Sequence, residues 1–567
     1  MNIKSLFFCL SLLFFSFSFC NGQSWVWARQ SYDIGISSNC DPTSIATDRY
    51  GNIYETGVYS DTIAFGFDTL KFNEGSFLAK YDPNGNILWV KNIKGSIFGG
   101  AEGLFVAVDK MQNVYVTGSF YDTATFGSII LTNGTMNGNS FLVKYDSNGN
   151  AIWARSATIT NGSVISYSVS NDDSDYVYIT GGFSGTISFG STILTNSNNS
   201  CAFLTKYDSI GNVVWAKSAT VKKRSSCYGL GITTDHLGGI YITGDFKDSI
   251  AFDTANMVSI TSQFDVFIVK YAANGQLLWT KEGYFPSRYS FIDINSDNLE
   301  YITIDNSNNV YVCGTYFDTI GFGSYLLNTD TNVLNPGAFL VKYAANGALL
   351  WAESSGFGGV SYSISVDKSN NVYWTGGCYD SLFSIAGLIL NSTPGNLEFL
   401  VKLDSNGKGF CGTTSNIAPD DYTPIATDPL GNNVYMGGDI NNGLPFVAFG
   451  NDTVFYKKNS GEYGFLTKWN SCSDIITNAP QSKNIENIID LFPNPNTGKF
   501  TLESSNRNMN STIEIYNILG EKVFTEPLSS QNKNAIKMGS QPSGVYLYRV
   551  ISENGSLIGE GKFVIQQ

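Results

Sequence analysis

One segment recurs seven times along this chain and constrains its fold more than any other feature. It reads FLAKYDPNGNILWVK at 77–91, FLVKYDSNGNAIWAR at 141–155, FLTKYDSIGNVVWAK at 203–217, FIVKYAANGQLLWTK at 267–281 and FLVKYAANGALLWAE at 339–353. Two further copies, FLVKLDSNGKGFCGT at 399–413 and FLTKWNSCSD at 465–474, drift or stop short. From Phe77 to Phe465 there are six intervals over 388 residues, a mean near 65. A second signature precedes most copies, as in DRYGNIYETG (48–57), DKMQNVYVTG (109–118), DHLGGIYITG (235–244) and DNSNNVYVCG (305–314). Self-similarity at a fixed period marks a repeat architecture in which each unit buries its apolar face against its neighbours.

Each unit parses into four short strands. In the first they are Ser44 to Thr47, Ile53 to Thr56, Phe77 to Tyr81 and Ile87 to Lys91. Asp-x-x-Gly-Asn turns join the first strand to the second and the third to the fourth, because Gly supplies the positive φ of a tight hairpin and Asn or Asp tolerates it. The sheets are therefore antiparallel. The third strand is apolar at consecutive positions, as expected of a sheet covered on both faces. The predicted fold is all-β: a seven-bladed β-propeller over 23–472, with sheets stacked around an axis.

The seventh copy lacks a fourth strand after Trp469, while Trp25-Val26-Trp27-Ala28-Arg29 near the N-terminus matches Ile152-Trp153-Ala154-Arg155. The N-terminal strand is thus expected to close the ring, setting Trp27 into the sheet that holds Phe465 and hiding an open edge. Joining ends so far apart costs on the order of 5 kcal/mol. Buried side chains offset it at about 1.5–3 kcal/mol each. The five tryptophans Trp89, Trp153, Trp215, Trp279 and Trp351 recur at one register, which assigns them to packing between blades. The surplus over a four-strand repeat lies between the second and third strands, where SDTIAFGFDTL (60–70) and its copies predict a small hairpin turning at Phe-Gly. These arms are expected to project from the end opposite the tight turns, making that end the candidate binding face. The 72-residue interval from Phe267 to Phe339 contains the most distinctive loop, around Tyr284 to Leu299.

Residues 1–22 carry one charge, Lys4, then an apolar run from Leu6 to Phe19. This is the pattern of a secretory signal peptide, with cleavage expected between Gly22 and Gln23. Cys20 raises lipid attachment as an alternative, against which bulky Phe19 counts. No other window approaches the length of a membrane span. Against 34 Lys and Arg stand 48 Asp and Glu, a net charge of −14. So acidic a surface repels phosphate and excludes nucleic acid and anionic membranes as partners. Of the seven cysteines beyond the leader, Cys411 fills the Trp slot of the sixth copy and Cys472 follows the third strand of the seventh. A disulfide between them and two buried thiols are the alternatives.

Chemistry is sparse. His236, the one histidine, sits in a turn, where a Ser–His–Asp role has no nucleophile at hand. No Cys-x-x-Cys pair or phosphate-cradling loop occurs, and Asp82-x-Asn84-Gly85-Asn86 and its copies offer too few oxygens for calcium. Catalytic, cofactor and metal residues are therefore assigned to none.

The paired signatures FLxKYDxNGNxxWxK and D-x-x-GNxYxTG resemble the SBBP-type β-propeller repeats of exported bacterial proteins, over about residues 24–472. That resemblance implies a scaffold without a shared activity. After a polar linker at 473–487, residues 488–567 contain LFPNPNTGKFTL (491–502), TIEIYNILGEKVF (512–524) and SGVYLYRV (543–550). They resemble the type A C-terminal sorting domain of type IX secretion cargo. Pro493, Asn494, Pro495, Gly498, Gly520, Gly544 and Tyr546 carry the match, and alternating Ile513, Glu514 and Ile515 read independently as a small Ig-like β-sandwich. The resemblance implies a Bacteroidetes-type cell, the type IX machinery as partner, and delivery through the periplasm to the cell surface or medium. The expected function is a non-enzymatic scaffold binding an extracellular glycan or protein, without cofactor. The alternative is a carboxylate-dependent glycan hydrolase or lyase on the propeller face.

Overall fold

The computed structural model describes residues 24–566 apart from 34–38, 97–98, 135–136, 223–224, 262, 287–290, 293–300, 330–335, 380–381, 392–396, 416–422, 429–430, 432, 441–445, 450–451, 456–462, 471–488, 505–510, 518–520, 530, 532, 540 and 553–556. The leader, Gly22, Gln23, Cys472, Gly520 and most of the long 284–299 loop lie outside the described residues. The chain divides into two compact units, Met1–Ser473 and Asp474–Gln567.

The first unit is all strand and turn. In the second repeat, Ala101–Val108, Val114–Phe120, Asn139–Tyr145 and Ala151–Ser156 pair in that order, antiparallel throughout. The middle two of these strands are buried at every residue, on both faces. The same four-strand order recurs from the first repeat (Asn39–Thr47, Ile53–Phe65, Asp68–Tyr81, Ile87–Lys94) to the sixth (Ser363–Val366, Val372–Cys378, Leu397–Leu403, Gly409–Ser415). In the seventh, Ile425–Thr427, Asn433–Ile440 and Tyr463–Asn470 are joined by Ser24–Gln30. That N-terminal strand runs antiparallel to the last, with Trp27 opposite Lys468 and Gln30 opposite Phe465.

First strands of successive repeats lie against one another, and that of the seventh lies against that of the first. Threonines bridge them. Thr234 Oγ1 donates to Asn171 O at 2.8 Å, Thr427 Oγ1 to Val366 O at 3.1 Å and Thr47 Oγ1 to Thr427 O at 2.7 Å. Phe105 of the second repeat meets Tyr301 of the fifth, ring centres 6.3 Å apart, so side chains from non-neighbouring repeats touch.

The Phe-Gly hairpins do not project. Each folds back so that its Phe packs on the third-strand Phe of its own repeat: Phe65 on Phe77 at 4.9 Å, Phe126 on Phe141 at 5.0 Å, Phe252 on Phe267 at 4.8 Å and Phe322 on Phe339 at 5.1 Å. In the second and fifth repeats the hairpin then adds to the outer strand of the preceding repeat, with Phe126 opposite Ile93 and Phe322 opposite Gly283. At the seam, Tyr32–Asp33 pairs with Ile63 and Ala64 in the same way. Burying an aromatic ring at each hairpin outweighs leaving it in water. The arms are clasps between repeats, which corrects the expectation of a free arm-bearing face.

The second unit has a three-stranded sheet (Ile489–Phe492, Lys499–Ser504, Lys533–Lys537) and a four-stranded one (Lys522–Leu528, Ser511–Tyr516, Gly544–Ser552, Leu557–Ile565). Phe500, Leu502, Ile513, Ile515, Tyr546 and Phe563 share one buried core. The alternation Ile513-Glu514-Ile515 sends both isoleucines inward, as the period of a strand requires. Among the described residues no helix is long and apolar enough to cross a membrane.

Candidate functional site

The repeated polar residues are spent on joints between repeats. The third-strand lysine donates to a backbone carbonyl in the next repeat's tight turn: Lys80 to Ser147 at 3.3 Å, Lys144 to Ser209 at 3.2 Å, Lys270 to Ala345 at 3.1 Å and Lys342 to Ser405 at 2.8 Å. All four of these carbonyls also accept the fourth-strand indole, as Ser147 does from Trp89 Nε1 at 3.2 Å. The ammonium lies over a buried tyrosine ring, 4.9 Å for Lys80 on Tyr54 and 4.7 Å for Lys342 on Tyr311. Burial lowers the pKa of Lys80, Lys144, Lys206 and Lys468, partly countered by a carboxylate of the neighbouring turn.

Each tryptophan lies flat on a turn glycine of the following repeat. A Cβ on Gly149 would come within 3.1 Å of the Trp89 ring, and one on Gly85 within 2.9 Å of Trp27. The N-terminal strand reproduces this joint except for the indole bond, since Trp27 Nε1 is buried without a hydrogen-bond partner. Trp27 is buried, Arg29 donates to Gly85 O at 3.1 Å and Asn84 O at 3.0 Å, and Lys468 donates to Pro83 O at 3.3 Å. Arg155 makes the matching pair with Gly211 O at 2.8 Å and Ile210 O at 3.1 Å. Thr467 Oγ1 donates to Trp27 O at 2.8 Å. Phe465 is buried one strand away, opposite Gln30.

Where an Asn stands four residues on, both oxygens of the turn carboxylate are engaged. Asp82 Oδ1 accepts the amides of Asn84 and Asn86 at 2.8 and 2.9 Å, and Oδ2 accepts Asn86 Nδ2 at 2.8 Å. The same bonds recur at Asp146 and hold both carboxyls below the usual range despite some burial. His236 Nδ1 lies 3.1 Å from Asp173 Oδ2 on an exposed turn. Among the described residues no cluster of three or more His, Cys, Asp or Glu could hold a metal. Cys411 is buried and disulfide-bonded, while Cys40, Cys201, Cys227, Cys313 and Cys378 are free and buried.

Four buried carboxyls and the half-buried Glu282 escape a reading of the repeats. Burial pushes Glu55 and Glu398 up to about 8, Asp245 to about 7 and Asp265 to about 6. Glu282, on the strand beside Asp265, rises to about 7 through burial and then through that neighbouring carboxyl. Their signal is departure from the pattern: Glu55 stands in a slot that Val116, Ile179 and Ile242 fill elsewhere.

In the second unit the Pro493-Asn494-Pro495 segment is tied to the final strand. Val564 N donates to Asn494 Oδ1 at 2.8 Å and Asn494 Nδ2 to Lys562 O at 3.4 Å. Buried Asn496, which the motif reading passes over, accepts Gly498 N at 2.7 Å through Oδ1 and Gln566 N at 2.8 Å through its carbonyl. Gly498 takes a φ of 82° that favours glycine. Gly544 opens the strand whose Tyr546 donates to Pro542 O at 2.8 Å and stacks on Phe563. Glu514 accepts Lys522 Nζ at 2.8 Å, Tyr516 Oη at 2.6 Å and Arg549 Nε at 2.7 Å, which together hold its carboxyl down at about 2. This segment, from 490 to 566, matches the family model of the secretion system C-terminal sorting domain.

Residues 490–566 form a secretion-system sorting domain. The sorting domain marks the protein for the type IX machinery and delivery to the cell surface or extracellular space. Over 436 residues the chain is 25% identical to an uncharacterized WD repeat-containing protein of Acanthamoeba polyphaga mimivirus, covering 65% of this chain. The chain spans 30% of that relative's length. Among solved structures, PorZ of the Porphyromonas gingivalis type IX secretion system is 10% identical, with 93% of this chain and 99% of PorZ covered and a TM-score of 0.13. The polysaccharide lyase Uly1 is 10% identical over 77% of this chain and 91% of the lyase, with a TM-score of 0.36.

Proposed function

We propose that the repeats form a seven-bladed β-propeller of the SBBP kind, latched by Ser24–Gln30, and that this propeller is a non-enzymatic scaffold carried out by the sorting domain to bind an extracellular glycan or protein. One observation carries the reading: the joint linking the first six repeats in succession recurs between the seventh and the first, where Lys468 reaches Pro83 and Trp27 covers Gly85. The named WD-repeat relative accords with it, since such repeats build propellers from four-stranded blades. The repeated Asp, Lys and Trp side chains are consumed by joints and turns, so a ligand is met by the non-repeating residues. A disulfide from Cys411 to Cys472 belongs to the same proposal and would fasten the sixth blade to the end of the seventh.

Retention on a panel of immobilised polysaccharides and matrix proteins, assayed together with product release, tests the function. Retention without turnover is expected; turnover would replace the scaffold by the second reading, a glycan hydrolase or lyase. That second reading has one observation in its favour, the raised carboxyl pair Asp265 and Glu282 beside the longest loop. Loss of turnover in Glu282→Gln would then identify the pair.

A further inference from the structure

Between the first and second repeats the outer edge opens into a cleft of about 390 Å³. Its walls are the outer strand of the first repeat, with Lys91 and Lys94, the Phe-Gly hairpin of the second, with Thr125 and Gly127, and the second repeat's own Tyr145 and Asn150. Neither lysine makes an ion pair among the described residues, and Lys91 rests against the Trp89 ring with its ammonium 5.6 Å from the ring centre. The neighbouring Asp146 spends its oxygens on its own turn. Tyr145 is 2% exposed, and its buried hydroxyl has no hydrogen-bond partner. On a chain of net charge −14, two cations without an ion pair beside an unsatisfied phenol stand out, Lys91 being offset only at longer range by the Asp146 carboxylate.

The molecule holds an internal reference for what this cleft lacks. Two joints further on, Lys217 occupies the slot of Lys91, and it is met by Asp253 at 3.1 Å. Asp253 sits at the hairpin position that Gly127 fills in the cleft: both follow the hairpin Phe, Phe252 or Phe126, and both have left-handed φ, 50° and 60°. Asp253 also lies close enough to Tyr271, the counterpart of Tyr145, to reinforce the upward shift that burial gives its phenol. One joint thus supplies a carboxylate from its own hairpin, and the other has a glycine and open space. Lys94 has no cationic counterpart in the other copies, where Thr158, Thr220 and Tyr284 hold its place.

We propose that the cleft binds a small organic carboxylate, seated against Lys91 as Asp253 is seated against Lys217, with Lys94 and the Tyr145 hydroxyl completing the site. Its volume falls in the range of small-molecule pockets, about 300–1,000 Å³, and admits a sugar ring behind the carboxylate, so a hexuronate is the size class it takes. A carboxylate bonded to ammonium groups makes charge-assisted hydrogen bonds.

Titration calorimetry of the purified protein at low ionic strength, with sodium glucuronate against glucose, tests this. One equivalent of glucuronate is expected to bind and glucose is not. Gly127→Asp, which installs the internal carboxylate, and Lys91→Gln with Lys94→Gln should each weaken glucuronate at least tenfold. Conversely, Asp253→Gly should lower the melting temperature and regain part of it in acetate but not in chloride of equal ionic strength. Equal heats for glucuronate and glucose, unchanged affinity in Gly127→Asp, or equal effects of acetate and chloride on Asp253→Gly would overturn the assignment. Since the probe is a free monosaccharide counted by stoichiometry, failure here is distinguishable from failure of polymer retention.

Discussion

Replacing Trp27 by alanine probes the seam at its largest contact. Trp27 and Trp153 are each 6% exposed, and each covers a turn glycine of another repeat at 2.9 Å from a notional Cβ. Truncating a buried Trp to Ala removes about 3–5 kcal/mol. For a cooperative unit of roughly 440 residues the unfolding entropy is about 0.9 kcal/mol per kelvin, so a loss of about 4 kcal/mol lowers the melting temperature by about 4 °C. Trp153→Ala is the control, because the repeats it joins are consecutive in the chain. Calorimetry should give the two variants similar losses. Only Trp27→Ala should also speed hydrogen exchange across Tyr463–Asn470, the strand to which Ser24–Gln30 pairs. A Trp27→Ala protein within about 0.5 kcal/mol of the parent, the range of ordinary surface substitutions, beside a Trp153→Ala protein that loses the full amount, would refute the seam.

Three further outcomes are expected. Glu55 holds its proton up to about pH 8 when folded but gives it up near 4.5 when unfolded, so its contribution is intact below pH 4.5 and declines as pH rises toward 8. Glu55→Gln should flatten that decline by on the order of a few kcal/mol in urea melts at pH 5 and pH 8; an unchanged slope would show that Glu55 is ionised in the fold. Gly149→Ala sets a Cβ 3.1 Å from the packed Trp89 ring at a φ of 77° and should cost more than Gly127→Ala, which meets nothing within 4 Å and bears only the roughly 1–2 kcal/mol of left-handed strain. Thermal melts that rank them the other way would contradict the stacking account. Non-reducing peptide mapping should find Cys411 linked to Cys472, whereas alkylation of both would remove that pairing.

The Trp-on-Gly joint is legible in the sequence because the first five copies carry the Trp, and the copy after each carries the turn Gly, at constant spacing. The N-terminal strand is legible for the same reason: Trp27-Ala28-Arg29 repeats Trp153-Ala154-Arg155. The hairpins are not, since Phe-Gly specifies a turn but says nothing of whether the arm leans outward or lies back on Phe77 and its equivalents. Lys80 and its copies stand in the signature without a stated role, because the acceptor is a backbone carbonyl that any residue provides. Glu55 and the Lys217–Asp253 pair are visible only as exceptions to the repeat, and an exception acquires meaning once the surrounding space is known.

The earliest of the described strands is among the last to find its partner. Ser24–Gln30 has no mate until Tyr463–Asn470 has been made, and the bond from Thr467 to Trp27 spans 440 positions. Throughout synthesis the nascent chain trails a bare strand whose backbone groups are open to chaperones or to aberrant pairing. Any product cut short before residue 463 keeps that strand unmatched, which makes completeness a condition of protease resistance.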